Sequence, residues 1–594
     1  MTEPLNHTID KSITVTQISL QDCTCEWSVN IQLVSHYKYV KHSGDRFNIY
    51  CTSSEYSKIV KCINIPTHLN AVELATTIKK SITKGIFILV MDDTVMIGAP
   101  MFDDSLSLVW SNKDLIISDS ASDIALFLGL PISFSALALN LMGSLPYYPF
   151  QFISMWEGVK KVHPFCILKC NSTGTTEELE VWCLPDIDND VESAYKSIRE
   201  QLLSSLDNYA NMYSAVQADI SGGVDSATIV YMLNALNANF SLYHAAADSK
   251  WNSDSKWARL IANDIDRTFI KLPSIGESGR KFSFEMDCSG SILADSPIFW
   301  ADTEGYVNSI FNATYNHSET IHFTGLGGDE LFSPLPAHAW SVARQNKIRS
   351  IGFGFKYCMF TRSPFLTCAY DLMNKTTFKD AVKTEIDIAF GEIEKRKKNS
   401  VLNWCGPITV PSWFTKICRE TIYNTALKEL DKIPCALDSD RTRHQGLESI
   451  LFQRRVISQL NRLYGGITWI SPFLESNVVS TALSIPARYR RDYALTKPTL
   501  YNSLKGIIPQ EVFTRGFKGD YSTGRYKEFN EAISNIRNQI WDFKLVELGL
   551  IDPDILISEL SMPNALQDRV ESFERLVAVE RWVRNATCCQ MKKE

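Results

Sequence analysis

The chain has 594 residues, of which 45% are hydrophobic and 21% are charged, and its formal net charge at pH 7 is -7. This length predicts more than one core of ordinary size, and the negative charge gives no reason to expect a nucleic-acid partner. No apolar run approaches the roughly 20 residues of a membrane-spanning helix. We therefore expect no membrane insertion. Because the 15 cysteines are scattered, we also expect a cytoplasmic protein.

The first part of the chain, residues 1–185, is predicted to be rich in short strands. The apolar run 85–91 has the length of a buried strand. Residues 115–118 follow a polar turn at 112–114, as in a hairpin, and a second hairpin is predicted within 156–168. Near residue 185 the composition turns acidic and includes a proline, so we place a domain boundary there.

The second part, residues 186–594, is predicted to begin with a helix and to continue as alternating strands and helices. Apolar residues recur every four positions in the first helix at Ala194, Ile198, Leu202 and Leu206. Strands are predicted at 216–220, 240–245, 268–272 and 320–324, with helices at 227–236 and 256–265. This α/β order predicts a parallel sheet with helices on both faces, and the chain after residue 335 is predicted to be mostly helical.

A glycine-rich string, Ser-Gly-Gly-Val-Asp-Ser, begins at Ser221 between a predicted strand and a helix. Gly222 and Gly223 let the backbone approach a phosphate closely, and the following helix points free N–H groups at an anion. Ser221 and Ser226 add hydroxyl donors. Since a carboxylate repels phosphate, Asp225 is expected to bind a Mg²⁺ ion that bridges it to the phosphate oxygens.

This string resembles the pyrophosphate loop of the N-type ATP pyrophosphatases. The resemblance implies ATP and Mg²⁺ as cofactors, with transfer of AMP to a carboxyl or carbonyl oxygen and release of pyrophosphate. The string has neither the Gly-Lys-Ser of a Walker loop nor the Gly-x-Gly-x-x-Gly of dinucleotide-binding folds. The alternative is an ordinary capped turn between a strand and a helix.

A second glycine-rich string, Thr-Gly-Leu-Gly-Gly-Asp-Glu-Leu-Phe, begins at Thr324 after the last predicted strand. Ligands of open parallel sheets bind at the carboxyl ends of the strands, so Gly325 and Gly327 are expected to line the nucleotide site. Asp329 and Asp225 are expected to converge on one Mg²⁺ ion or on a pair of them, because a cation bound to triphosphate needs few protein carboxylates.

The second string resembles the asparagine-synthetase branch of this superfamily, and its form is most similar to the lasso-peptide macrolactam synthetases. Leu326 stands where asparagine synthetases carry Glu and β-lactam synthetases carry a proton-transferring Tyr, so the general base is left unassigned. A string that begins at Arg515 resembles the late Arg-x-x-Lys-Gly loop of these enzymes. The resemblance implies that Lys518 lies beside the α-phosphate and stabilises developing charge. Asp254 matches a position near the nucleotide in relatives, or caps a helix.

The first domain, residues 1–185, resembles a glutamine amidotransferase of the αββα type through the apolar run 85–91. Residue 2 is Thr, whereas glutamine-dependent relatives carry a nucleophilic Cys there. We therefore expect a degenerate amidotransferase-like domain, followed at 186–594 by an ATP-pyrophosphatase domain with a helical extension. Without glutaminase activity, the attacking nitrogen is expected to be an amine of the substrate itself.

Together these resemblances imply an AMP-forming ligase that joins an Asp or Glu side chain of a precursor peptide to the N-terminal amine of the same peptide. The implied partners are the precursor peptide, a leader-binding protein and a leader protease. Two alternatives stay open. One is an ammonia-using enzyme similar to asparagine synthetase, and the other is a degenerate scaffold that only holds a peptide.

Overall fold

The computed structural model describes a large part of the chain in separate ranges. These are residues 14–18, 31–35, 39–44, 46–63, 69–82, 85–91, 93–101, 108–111, 115–171, 173–246, 252–273, 293–297, 301–314, 319–345, 365–394, 402–433, 435–463, 466–492, 494–515, 519, 533–534, 536–561 and 567–591. Thr2, Lys518 and the polar turn 112–114 lie outside the described residues.

The strands of the first part form two sheets. Their bounds are β1 Thr14–Ile18, β2 Ile31–Ser35, β3 Tyr39–Ser43, β4 Phe47–Thr52, β5 Phe87–Met91, β6 Thr94–Gly98, β7 Val109–Ser111, β8 Ile116–Ser118, β9 Val159–Lys161, β10 Cys166–Asn171 and β11 Thr176–Glu180. One sheet has the order β1-β2-β8-β7-β9 and the other has the order β11-β10-β6-β5-β4-β3. Neighbouring strands are antiparallel, apart from β2 and β8, which run parallel.

The two sheets pack face to face, with helices outside them. Leu33 of one sheet and Val90 of the other belong to the same buried cluster. The helices α1 Tyr56–Ile63 and α2 Ala71–Ser81 cover the outer face of the second sheet, while α3 Ala121–Leu128 and α4 Phe134–Leu141 pack against the first. The layers therefore follow the order helix, sheet, sheet, helix.

Two predictions for this part have different outcomes. The hairpin of β7 and β8 is confirmed, because these strands pair antiparallel with Trp110 opposite Ile117. The second hairpin is wrong: β9 pairs with β7, whereas β10 pairs with β6 and β11. Residues 162–165 carry the chain from one sheet to the other, and Val162 lies in the apolar layer between them.

The strands of the second part form one parallel sheet, as predicted. Their bounds are β12 Ala215–Asp219, β13 Phe240–Ala245, β14 Phe269–Leu272, β15 Thr320–Phe323 and β16 Ile467–Ile470. The sheet has the order β14-β13-β12-β15-β16, and each neighbouring pair is parallel. The sequence did not predict β16, which adds a strand beside β15 within the mostly helical region.

Helices make up most of the remaining described structure. The helices up to the second glycine string are α5 Val191–Met212, α6 Val224–Ala235, α7 Asp254–Asp264, α8 Ala301–Ala313 and α9 Gly328–Phe332. The later ones are α10 His338–Gln345, α11 Phe365–Met373, α12 Phe378–Phe390, α13 Lys416–Lys432, α14 Arg441–Leu463, α15 Ser476–Ser484, α16 Pro498–Ser503, α17 Gln510–Phe513, α18 Lys544–Glu547, α19 Pro553–Leu560 and α20 Gln567–Met591. Within the described ranges, no helix has the length and apolarity required to cross a lipid bilayer.

The two parts of the chain share a buried core. Apolar residues of α3 and α4 pack in one cluster with those of α12, α13 and α20, and the rings of Trp156 and Trp582 lie 5.6 Å apart. Helix α14 belongs to the core of the parallel sheet, and its Arg462 forms a buried ion pair with Asp123 of α3 at 2.7 Å. This packing fixes α14 between the first part and the edge of the parallel sheet.

Candidate active site

The two glycine-rich strings leave the parallel sheet side by side. Strands β12 and β15 are neighbours, and Ala218 is paired with Phe323, so both strands end at the same level. The first string continues into α6 and the second into α9. The register therefore brings two loops, distant in sequence, to one position at the carboxyl edge of the sheet.

The first loop opens the amino end of α6 toward a cavity. Gly222 has a φ of +83°, and a Cβ atom there would lie 2.4 Å from the carbonyl oxygen of Asp254, so a glycine is required. Gly223 occupies the N-cap of α6 and has no side chain to cover the free N–H groups. The hydroxyl oxygens of Ser221 and Ser226 lie 2.9 Å apart. The N–H of Gly223 donates to the Ser221 hydroxyl, and the N–H of Ser221 donates to the Ser226 hydroxyl, so these hydroxyls stabilise the loop itself. The amino end of a helix presents the N–H groups of its first turn to an anion.

The second loop contacts the first through its glycines. A Cβ atom on Gly325 would lie 2.9 Å from Cβ of Asp225, and one on Gly328 would lie 2.2 Å from Oδ1 of the same residue. Gly327 has a φ of +93°, which favours glycine. The absence of side chains at these positions allows the Asp225 carboxylate to lie against the second loop.

The structure brings Asp225 and Asp329 together at a third residue, Lys497. The Lys497 ammonium contacts Oδ1 of Asp225 and lies 2.7 Å from Oδ1 of Asp329. The Lys497 side chain is only 3% exposed, whereas that of Asp329 is about half exposed. Lys497 also has a left-handed backbone, with a φ of 55°, which is uncommon for a residue with a side chain and often occurs at functional sites.

No sequence pattern indicated Lys497. It lies 272 positions after Asp225 and belongs to none of the three strings that carry the resemblance. Pro498 follows it, and a residue before proline normally adopts an extended backbone. A pattern search therefore predicts nothing unusual at this position.

The donor set around this ammonium fits a divalent cation. Two carboxylates converge on one positive centre, and oxygen donors of this kind are preferred by Mg²⁺, which takes its other ligands from water and phosphate. In the described ranges, no group of three or more His, Cys, Asp and Glu side chains converges in a way that could hold a metal. The arrangement therefore suits a metal that arrives with a polyphosphate better than a permanently bound one.

Asp254 anchors the loop that begins at Arg515. The buried Asp254 carboxylate contacts the Arg515 guanidinium and accepts a hydrogen bond of 3.1 Å from the N–H of Gly519. Arg515 also donates to the carbonyl oxygen of Gly222, which joins this loop to the first glycine loop. Ser253, and not Asp254, occupies the N-cap of α7. Asp254 does not line the cavity described below, and its described contacts hold Arg515 and Gly519 in place.

A cavity of about 460 Å³ lies between these loops. It is lined by Asp219, Ser221, Gly223, Val224, Asp225, Ser226, Tyr243, Ala245, Tyr306, Thr324, Gly325, Leu326, Gly327, Asp329, Glu330, Gln453, Thr496, Lys497 and Arg515. A second cavity of about 430 Å³ adjoins it and shares Asp219, Tyr306, Thr324, Leu326 and Gln453 with the first. The two cavities thus form one cleft with two compartments.

Leu326 lies where both compartments meet and cannot accept a proton. Its carbonyl oxygen accepts a hydrogen bond of 2.6 Å from the Ser471 hydroxyl. Glu330 is an acid in the first compartment, and its carboxylate accepts a 2.8 Å hydrogen bond from Gln453. Burial raises the pKa of Glu330, and the charges of Asp329 and Asp225 add to this effect.

The parallel sheet and the glycine-lined cleft at its carboxyl edge define an α/β protein of the kind that binds its ligand at the ends of the strands. Residues 197–584 match the family model described as asparagine synthase. Because the match covers more than half of the chain, the protein belongs to the asparagine synthase family, and this membership implies an ATP-dependent amide-bond ligase. None of the curated proteins matches the chain.

Proposed function

We propose that the protein is an ATP-dependent macrolactam synthetase of the lasso-peptide type. It adenylates an Asp or Glu side chain of a precursor peptide and joins that carboxyl to the N-terminal amine of the same peptide. One observation carries the adenylation half of the proposal. The Asp225 and Asp329 carboxylates, one from each glycine loop, converge on the Lys497 ammonium. A leader-binding protein and a leader protease belong to the same proposal as partners.

The proposed roles of α6, Asp225 and Asp329 are supported by their positions, and that of Lys518 rests on the resemblance of the string that begins at Arg515. The N–H groups at the start of α6 bind the pyrophosphate, while Asp225 and Asp329 hold Mg²⁺, which supplies charge neutralisation when it is bound. The substrate carboxylate forms a bond to the α-phosphorus as the bond to pyrophosphate breaks. Lys518 is proposed to stabilise the charge that builds on the α-phosphate. The amine then forms a bond to the acyl carbon, and AMP leaves.

Two observations favour an amine of the substrate over free ammonia. Leu326 stands where the ammonia-using asparagine synthetases carry Glu. The second compartment has an apolar wall and a volume of about 430 Å³, far more than ammonia requires. A peptide held across both compartments converts a bimolecular attack into a proximity-driven one.

The proposal is tested by measuring pyrophosphate release from ATP and Mg²⁺ with two sets of substrates. One is a linear peptide with a free N-terminal glycine and an internal Asp or Glu, and the other is aspartate with ammonium. We expect release with the peptide, together with the loss of one water from its mass. Asp225→Asn and Asp329→Asn should each lower the rate by about 100-fold or more, whereas Asp207→Asn on the exposed face of α5 should not.

The other possible results identify the alternatives. Release with aspartate and ammonium alone, with formation of asparagine, would indicate an ammonia-using enzyme. A chain that binds the peptide but releases no pyrophosphate with either set would be a peptide-binding scaffold.

A further inference from the structure

A carboxylate that the roles above do not use lies where the two compartments meet. Asp219 is the last residue of β12 and lines both cavities. Its side chain is 19% exposed, so it is largely buried but still open to the cleft. Like Leu326, it lies between the nucleotide loops and the second compartment.

Two side chains hold the Asp219 carboxylate in place. The Tyr306 hydroxyl of α8 donates to Oδ1 of Asp219, and Nε2 of His322 lies 2.7 Å from the same oxygen. Within the described part of the chain, the hydrogen bonds to this carboxylate are therefore made to Oδ1. A carboxylate bound in this way keeps a fixed orientation, and Oδ2 is the oxygen left to accept a hydrogen bond from a ligand.

Other side chains hold His322 on the side of its ring that faces away from Asp219. Its side chain is fully buried, its ring lies 4.5 Å from that of Trp469, and Nδ1 lies 3.3 Å from the side-chain oxygen of Gln217. The Gln217 amide also lies 3.1 Å from the hydroxyl oxygen of Tyr243. The Gln217 amide nitrogen also donates to the Thr314 hydroxyl, so its oxygen is held facing Nδ1. With Nδ1 against Gln217 and Nε2 against Asp219, the imidazole keeps a fixed orientation beside the carboxylate.

The second compartment next to Asp219 has an apolar wall with an acidic margin. The wall consists of Val307, Leu326, Phe452, Val456, Leu460 and Trp469. Glu571, Glu574 and Arg575 of α20 also line this compartment, with the residues that it shares with the first. Such a cavity suits an apolar group, and its three carboxylates outnumber the one guanidinium, with Asp219 placed at the junction to the nucleotide loops, which favours a cation there.

We propose that the second compartment binds the acyl acceptor, which is the protonated N-terminal amine of the peptide with a bulky apolar residue close to it, and that Asp219 takes a proton from this amine. The inference rests on the proposed function. The ammonium gives one proton to the Asp219 carboxylate, which frees the lone pair of the nitrogen. As the nitrogen forms its bond to the acyl carbon, the bond from that carbon to AMP breaks, and its electron pair leaves with the phosphate oxygen, which takes the second proton lost by the nitrogen. Asp219 is then the catalytic base that Leu326 cannot be, and His322 and Tyr306 are positioning residues.

The binding part is tested by calorimetry on the full chain with phenethylamine, which is a primary ammonium joined to an aromatic ring by two carbons. The affinity of the same protein for ATP and Mg²⁺ is measured in a parallel titration. We expect phenethylamine to bind the wild-type protein and Asp219→Asn to weaken that binding about 10- to 100-fold, because a charge-assisted hydrogen bond is lost. The affinity for ATP and Mg²⁺ should not fall. Asp264→Asn is the matched control, since Asp264 also accepts a hydrogen bond from a tyrosine, Tyr231, at 2.8 Å.

Unchanged phenethylamine affinity in Asp219→Asn, or wild-type affinity no greater than that for 2-phenylethanol, would overturn the inference. Failure of the proposed function gives a different result, namely no pyrophosphate release with the peptide in the assay above, whether or not phenethylamine binds.

The positioning role is tested through the pH profile of ring formation in the peptide assay. Tyr306 and His322 face Asp219 directly, and Tyr243 lies behind Gln217. Loss of a donor makes the ionised carboxylate less favourable, so Tyr306→Phe and His322→Gln should move the acidic limb of the profile to higher pH. Tyr231→Phe should leave the limb in place. An acidic limb that is unmoved in both variants would show that the network is only structural.

Discussion

The two sheet-bearing parts of the chain use buried charges in different ways. In the first part, Asp123 and Lys79 are buried and bind other protein groups: Asp123 pairs with Arg462, and Lys79 donates to the carbonyl oxygen of Ala99 at 2.5 Å. In the parallel-sheet part, Asp225 and Asp219 face a cavity. The residues that line the two compartments all lie between positions 219 and 575. The first part thus contributes packing, and the second contributes the chemistry.

Helix α14 contacts both the first part of the chain and the cleft. One side of it binds the first part: Arg462 pairs with Asp123, and the Glu448 carboxylate accepts a hydrogen bond of 2.9 Å from the N–H of Tyr148. The other side lines the cleft with Gln453 and Leu460. We infer that the first part positions this helix.

The largest effect is expected from Arg462→Met. Both side chains of the Arg462–Asp123 pair are about 5% exposed or less, so the variant leaves a carboxylate in the core without its guanidinium partner. Breaking a buried pair in this way costs about 3–5 kcal/mol. Urea unfolding of the full chain, followed by tryptophan fluorescence, should show a lower midpoint. The double variant with Asp123→Asn should recover part of the loss, because the unpaired charge is removed.

Lys196→Met is the control for this experiment, since Lys196 pairs with Glu200 on an exposed helix surface and such pairs contribute about 1 kcal/mol at most. A loss in Arg462→Met no greater than in this control would contradict a packing role for the first part.

A smaller effect, in the cleft, is expected from Lys497→Met. Removal of the ammonium leaves Asp225 and Asp329 facing each other, but Asp329 is 51% exposed, so water screens part of the repulsion. We expect a loss of about 1–3 kcal/mol in the free energy of unfolding. Because Mg²⁺ can replace the ammonium between the carboxylates, its addition should stabilise the variant more than the wild-type protein in thermal unfolding.

Lys383→Met provides the comparison, because Lys383 pairs with a single carboxylate, Asp387, at 2.6 Å and outside the cleft. An equal gain from Mg²⁺ in all three proteins would show that the two aspartates do not hold the cation.

The site was predictable where its signal is contained in one short string. The strings that begin at Ser221 and Thr324 carry their glycines, their aspartates and their position after a strand in the sequence itself. Lys497 was not predictable, because it meets Asp225 only through the tertiary fold. Asp219 and His322 lie within or at the ends of strands, where the sequence indicates only burial. The crossing between β9 and β10 was missed for a similar reason, since a hairpin and a sheet-to-sheet connection have the same local pattern of turns.

The smallest of these effects, at the contact between the two parts, is expected from Glu448→Gln. Burial raises the pKa of Glu448 to about 7, from a usual value of 4.5. The folded chain therefore keeps a proton that the unfolded chain loses between about pH 4.5 and 7, and the free energy of unfolding falls as the pH rises through this window. A glutamine stays neutral and can still accept the Tyr148 N–H. The variant should therefore be more stable than the wild-type protein at pH 8, by about 1–2 kcal/mol, and the difference should nearly vanish at pH 5.

Thermal unfolding at both pH values, with the exposed Glu192→Gln as control, measures this difference. A stability gap that is the same at pH 5 and pH 8 would mean that Glu448 is ionised in the fold, and that the contact of α14 with the first part includes a buried charge.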